Sequence, residues 1–155
     1  MKLIIHIGTE KTGTTAIQAA LRRDQDRLKA QGVLFPLLFD TPNHMEIAVA
    51  AMSAQAQSEL ILIELARLQC GHDEYRAHVA QMLRDEIQAA RPHTLILSNE
   101  HIHSRLRTPE ELARILVLLP EQPTEVQLVC YLRRQDRMAV SLYSTVLKGG
   151  GEGDV

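Results

Sequence analysis

The hydrophobic pattern changes period several times along the chain, and each change marks an element. Lys2 to Ile7 is a short apolar run bounded by Gly8, as expected of a strand buried on both faces. From Thr14 to about Gln31 the spacing becomes helical, with Ile17, Leu21 and Leu28 on one stripe and Arg22, Arg23, Asp24 and Asp26 elsewhere. Gly32 suits the position just past a helix end. Val33 to Phe35 reads as a second short strand closed by Pro36, and a loop follows through Asp40, Thr41, Pro42 and Asn43. His44 to Cys70 predicts one or two helices; Gly71 breaks the run, and Asp73 to Ala90 predicts another helix. Leu95 to Leu97 lies in a third strand, stopped by Ser98, Asn99 and Glu100. Thr108, Pro109 and Glu111 combine a cap, a preorganised first helical position and a capping box, opening a helix that ends near Pro120. Glu125 to Leu132 predicts a fourth strand, and Gln135 to Lys148 a last helix with Met138, Leu142, Thr145 and Val146 on one stripe.

Strands alternating with helices predict an α/β domain, a three-layer sandwich around a parallel sheet of about four strands joined by right-handed crossovers. The 155 residues suffice for one domain with its own core. Positions 1–148 form that domain, and 149–155, with four glycines in seven residues, are expected to be a flexible tail. A content of 45% apolar and 23% charged residues is ordinary for a globular chain. The formal charge of −2 argues against a general nucleic-acid binder, so any anion site must be local. Cys70 and Cys130 have neither CxxC spacing nor a paired His, and two reduced thiols are expected rather than a disulfide or a metal site. No stretch approaches the roughly 18 to 20 apolar residues of a membrane span, and the apolar start is too short for a signal-peptide core. The expected location is cytoplasmic.

The candidate chemistry is concentrated at Gly8-Thr9-Glu10-Lys11-Thr12-Gly13-Thr14-Thr15, between the first strand and the first helix. An α/β fold places its ligands at such a junction, and the free N–H groups and dipole of a helix start favour an anion there. Gly8 and Gly13 allow tight turns, Thr14 and Thr15 offer hydroxyl donors, and Lys11 offers a mobile positive charge. The glycine spacing equals that of the triphosphate loop GxxxxGK[ST], but here Lys precedes the second Gly and Thr14 stands at the usual Lys position. This departure speaks against an ordinary ATPase or kinase loop. The bland alternative is a tight strand-to-helix turn with Thr14 or Thr15 as a plain cap.

The run His6-Ile7-Gly8 through Lys11-Thr12-Gly13-Thr14-Thr15, followed by Ile17-Gln18 and Leu21, resembles the 5'-phosphosulfate loop of sulfotransferases that use 3'-phosphoadenosine-5'-phosphosulfate (PAPS), in the bacterial branch written roughly HIGxxKTGTTxLQ. The resemblance implies a P-loop nucleoside-triphosphate-hydrolase-like fold. It implies that the loop amides from Thr12 to Thr15 and the hydroxyls of Thr14 and Thr15 hold the 5'-phosphate, with Lys11 near the bridging oxygen where charge builds up. A second segment, Tyr131-Leu132-Arg133-Arg134-Gln135-Asp136 through Ser141-Leu142-Tyr143, is similar to the family's 3'-phosphate site, an Arg at a strand end and a Ser eight residues on. Arg133 and Ser141 take those roles, and Arg134 can exchange with Arg133. Without the resemblance, Arg133 and Arg134 read equally as a solvated basic pair.

Sulfuryl transfer needs a base within reach of the acceptor hydroxyl. His44 and Glu100 both qualify, each lying in a segment similar to one that supplies the base in some branch of the family. The alternatives are a helix-start residue for His44 and a carboxylate orienting Lys or Arg for Glu100. His101 and His103 read as surface residues of a short helix, and Asp40, His72, His78 and His93 join no constellation. The implied function is transfer of a sulfuryl group from PAPS to a hydroxyl or amine acceptor such as a carbohydrate or lipid headgroup, with no metal. A small-molecule kinase, a non-catalytic nucleotide-binding domain and a domain without a ligand are the alternatives. Family members usually continue past the 3'-phosphate helix, so the resemblance implies either a fragment or a shortened relative with weakened cofactor binding. Acceptor identity and oligomeric state are not legible.

Overall fold

The computed structural model describes residues 1–41 and 43–148, excluding the side chain of Asp40; Pro42 and the predicted tail at 149–155 lie outside the described residues. The chain runs β1 (Lys2–His6), α1 (Thr14–Arg23), α2 (Gln25–Ala30), β2 (Val33–Leu34), a 3-10 turn (Leu38–Asp40), α3 (Met45–Ala51), α4 (Glu59–Leu68), α5 (His72–Ala90), β3 (Thr94–Ser98), α6 (His101–Arg105), α7 (Pro109–Val117), β4 (Glu125–Val129) and α8 (Gln135–Lys148). The four strands form one parallel sheet in the order β2-β3-β1-β4. The expected α/β class is thus observed. Lys2 of β1 aligns with Thr94 of β3 and with Glu125 of β4, so the three strands end together on one edge.

The first-helix stripe is split. Asp24 leaves helical geometry and its amide closes α1 on Ala20 O, so the predicted run to Gln31 becomes two helices. Gly32 follows at φ +68, and a side chain there would meet the His93 ring at 2.6 Å, so both backbone and space require glycine. Thr108 and Glu111 make the expected capping box of α7.

Leu3, Ile5, Leu95 and Leu97 alternate along β1 and β3 and are buried in one core with Ile47 and Val49 of α3, Tyr75, Val79 and Leu83 of α5, and Ile115 of α7. Each such side chain contributes about 1.5–3 kcal/mol by leaving water. Helix α3 is the hub of this layer, packed against α4, α5, α6 and α7. The other end of the sheet is open. Val126 and Leu128 of β4 are exposed, and of the stripe read for the last helix Leu142, Thr145 and Val146 are exposed and Met138 is half-buried, so most of that stripe lies at the surface. Among the described residues no helix is long and apolar enough to cross a membrane.

Candidate functional site

The chain leaves β1 toward β2 and leaves β3 toward β4, in opposite directions across the sheet, and a crevice opens between the two strand ends. The Gly8–Thr15 loop forms one wall. Gly8 and Gly13 both have φ +93, the left-handed region that glycine enters without strain, and Gly13 is the N-cap of α1. The first amides to close the helix, Ala16 and Ile17, donate to Gly13 O. Among the described residues, the amides of Lys11 to Thr15 have no acceptor. These open N–H groups at a helix start form a cradle for an anion. Thr14 is buried in the wall and Thr15 is exposed; the Thr12 hydroxyl turns away and donates to Thr9 O.

The fourth strand brings the second predicted segment here. Past its last residue, pairing with the loop continues through Tyr131 N to Gly8 O (2.7 Å) and Thr9 N to Tyr131 O (3.1 Å). This zipper carries Arg133 onto the loop, where its Nη1 donates to Lys11 O at 2.9 Å. The Lys11 ammonium donates to Thr145 Oγ1 on α8, joining the loop to the helix that carries Ser141. Arg133 and Ser141 line one cavity of about 560 Å³ with Asp136 and Arg137. Arg134 is not among the residues lining that cavity and is paired with Asp136, its Nε donating to Asp136 Oδ1 at 2.7 Å. The exchange of roles left open between the two arginines is therefore not favoured by the geometry.

The end of β3 supplies the opposite wall. A Cβ on Gly8 would lie 3.0 Å from Glu100 Cβ, so the glycine allows this carboxylate to sit beside the loop. Gln18 of α1, which is buried, donates from Nε2 to Glu100 Oε2 at 3.3 Å and also approaches Ser98 Oγ at 3.3 Å. Ser98 Oγ in turn meets His6 Nδ1 at 2.7 Å. Burial lowers the His6 pKa, partly opposed by the Glu100 charge, and so favours a neutral ring. Glu10, Lys11, Gly13, Thr14, Glu100 and Arg105, together with Thr15 and His101, enclose about 300 Å³. His101 Nδ1 is 3.9 Å from Glu10 Oε1, whereas His103 is exposed outside this cavity.

His44, the other candidate base, does not reach the cavity. It is fully buried, its Nε2 donates to Pro36 O at 2.8 Å, and its Nδ1 accepts from Ser98 N at 3.0 Å. Both ring nitrogens are thereby occupied, and the ring packs on Phe35 with centroids 4.4 Å apart. In this structure His44 lies outside the cavity and pins the loop after β2 to the end of β3. Burial lowers its pKa from 6.5 to about 4, the bond to Pro36 opposing only in part. Between those two values the unfolded chain binds a proton that the folded chain does not, so stability is lost as pH falls. Glu46 and Glu86, whose pKa values burial raises, act in the opposite sense. The comparison is therefore between wild type and His44→Gln in urea unfolding. From pH 7 to pH 4.5 the wild type should lose about 2 kcal/mol more than the variant, and equal losses would refute the assignment.

His6, Gln18, Arg105 and Thr145 belong to the site but have no role in the sequence reading. His6 and Gln18 stand inside the quoted loop motif, which was their available signal; Arg105 and Thr145 have none, because only tertiary folding brings them there. No protein-family model matches the chain, and neither a curated protein nor a solved structure does.

Proposed function

We propose that the chain binds PAPS and transfers its sulfuryl group to a hydroxyl or amine acceptor. The observation that carries this reading is the bond from Arg133 to the Lys11 carbonyl, which joins residues 122 positions apart around a loop of open amides. One nucleotide with a 5'-phosphosulfate and a 3'-phosphate needs two anion sites of this kind on one side of the sheet. The strand order β2-β3-β1-β4 supports it too, since right-handed crossovers then set α1 and α2 opposite α3–α7, the three-layer P-loop arrangement.

In this reading the amides of Thr12 to Thr15 and the Thr14 and Thr15 hydroxyls hold the 5'-phosphate, and Arg133 with Ser141 grips the 3'-phosphate. The donor supplies an activated sulfuryl group. The acceptor oxygen forms the new S–O bond, its proton passes to Glu100, and the electron pair of the broken S–O bond remains on the departing phosphate oxygen beside the Lys11 ammonium. The protein's contribution is positioning and charge stabilisation of an in-line displacement, as in phosphoryl transfer.

Calorimetric titration with adenosine 3',5'-bisphosphate tests the site. Wild type should bind; Arg133→Ala should weaken binding about ten- to a hundredfold, the worth of a charge-assisted phosphate contact. Lys11→Ala should weaken it less, because this product lacks the sulfonate. Unchanged affinity in both variants would overturn the reading. Turnover of ATP with magnesium by a protein indifferent to PAPS would replace it with a small-molecule kinase.

A further inference from the structure

Arg105 lines two cavities. One is the crevice beside the loop, with Lys11 and Glu100. The other, about 450 Å³, lies between the α3–α4 connection and the junction of α6 with α7, and includes Ser53, Gln55, Gln57, Ser58 and Arg107 in its lining. That volume falls within the roughly 300–1,000 Å³ of small-ligand sites. Arg105 and Arg107 are exposed, and among the described residues neither guanidinium has a carboxylate partner or a hydrogen-bond acceptor. The one acid in the second wall is already engaged. Glu111 is 5% exposed and accepts from Arg107 N and Ser53 N, both at 2.8 Å, and from Thr108 N at 3.3 Å. Burial alone would raise its pKa, but these amides and Arg114 outweigh that and keep it ionised. Its charge is directed at the wall's own backbone, leaving two guanidinium groups for a ligand.

We infer that the second cavity is the acceptor subsite and that it takes a hydroxyl acceptor carrying a carboxylate, held by Arg107 and Arg105. The inference rests on the proposed sulfuryl-transfer reading, in which the first cavity holds the reacting groups. Arg105 lines both cavities, so in this proposal an acceptor anchored at Arg107 would present its hydroxyl toward Glu100 and Lys11. A guanidinium fork matches a carboxylate bidentately, while Ser53, Gln55, Gln57 and Ser58 can hydrogen-bond the hydroxyls of a polyol or sugar ring.

The test compares p-nitrophenyl β-D-glucuronide with p-nitrophenyl β-D-glucoside, which differ at the carboxylate. Each is titrated into the protein with and without adenosine 3',5'-bisphosphate. The glucuronide should bind at least about tenfold more tightly. Arg107→Gln should abolish that preference while nucleotide affinity stays within about twofold, since no phosphate contact is assigned to Arg107. Equal binding of the two glycosides, or a preference that survives Arg107→Gln, would overturn the inference while nucleotide binding keeps the donor reading intact. If the nucleotide itself fails to bind, the donor reading falls, and the glycoside pair titrated alone still decides whether the arginines hold a carboxylate.

Discussion

Lys11→Ala should lower the rate of release of adenosine 3',5'-bisphosphate (PAP) from PAPS by about 10²- to 10³-fold, with a much smaller change in affinity for the product nucleotide. The asymmetry follows from where charge develops. In the proposed ground-state complex the amides of the loop already face the phosphate, and Arg133 is anchored on the Lys11 carbonyl whatever side chain Lys11 carries. An ammonium beside the bridging oxygen matters most when the S–O bond breaks and that oxygen gains charge. Removing it therefore deletes an interaction made chiefly in the transition state, which appears in kcat rather than in product binding. Lys11 must exchange its bond to Thr145 Oγ1 for this task, a rotamer change at the cavity edge that leaves the backbone in place. The assay follows PAP release with water and a panel of simple glycosides as acceptors. Turnover in Lys11→Ala within about threefold of wild type would exclude a leaving-group role. Tight nucleotide binding by a wild type that transfers to none of these acceptors would favour a non-catalytic binding domain.

What the sequence reveals of this site depends on how local each contact is. The β1-loop-α1 unit is readable because glycine punctuation, an apolar run and a helical stripe all lie within about two dozen residues, and the structure has that unit nearly as expected. The capping box of Thr108 and Glu111 is equally local, although Glu111 also binds Ser53 N, a partner that no spacing reveals. The break at Asp24 is hidden because the apolar stripe continues through it. The burial of His44 is not legible because its partners, Pro36 O and Ser98 N, come from a loop and from a strand 54 residues on; a histidine before a helix looks the same whether buried or free. Arg133 reaches the loop only through the zipper of residues 129–131, so its place beside the loop is not legible from helix or strand periodicity, and the role proposed for it comes from the resemblance. The period of α8 is visible in the sequence, but what its exposed stripe packs against is not, since an amphipathic pattern identifies a face and not its partner.

In the proposed reaction, with His44 occupied at both nitrogens, we assign the base to Glu100, and Glu100→Gln should lower kcat by about 10²- to 10⁴-fold. Glutamine keeps the shape and can still accept from Gln18 Nε2, so the wall beside Gly8 is preserved while the ability to take a proton is lost. Nucleotide affinity should therefore be unchanged. The competing role for Glu100, a carboxylate that only orients Arg105 or the loop, predicts a different split: weaker binding of donor or acceptor, with kcat nearly retained. Chemical rescue separates them further. Glu100→Ala leaves room beside Gly8, and added formate should restore part of the lost rate if the missing function is proton acceptance. His44→Gln is the counterpart control: at pH 7 its folded fraction should turn over within a few-fold of wild type, because the ring acts on Pro36 and Ser98 and not on the reacting groups. A loss in His44→Gln as large as in Glu100→Gln, in protein shown to be folded, would return the base to the buried histidine and remove Glu100 from the chemistry.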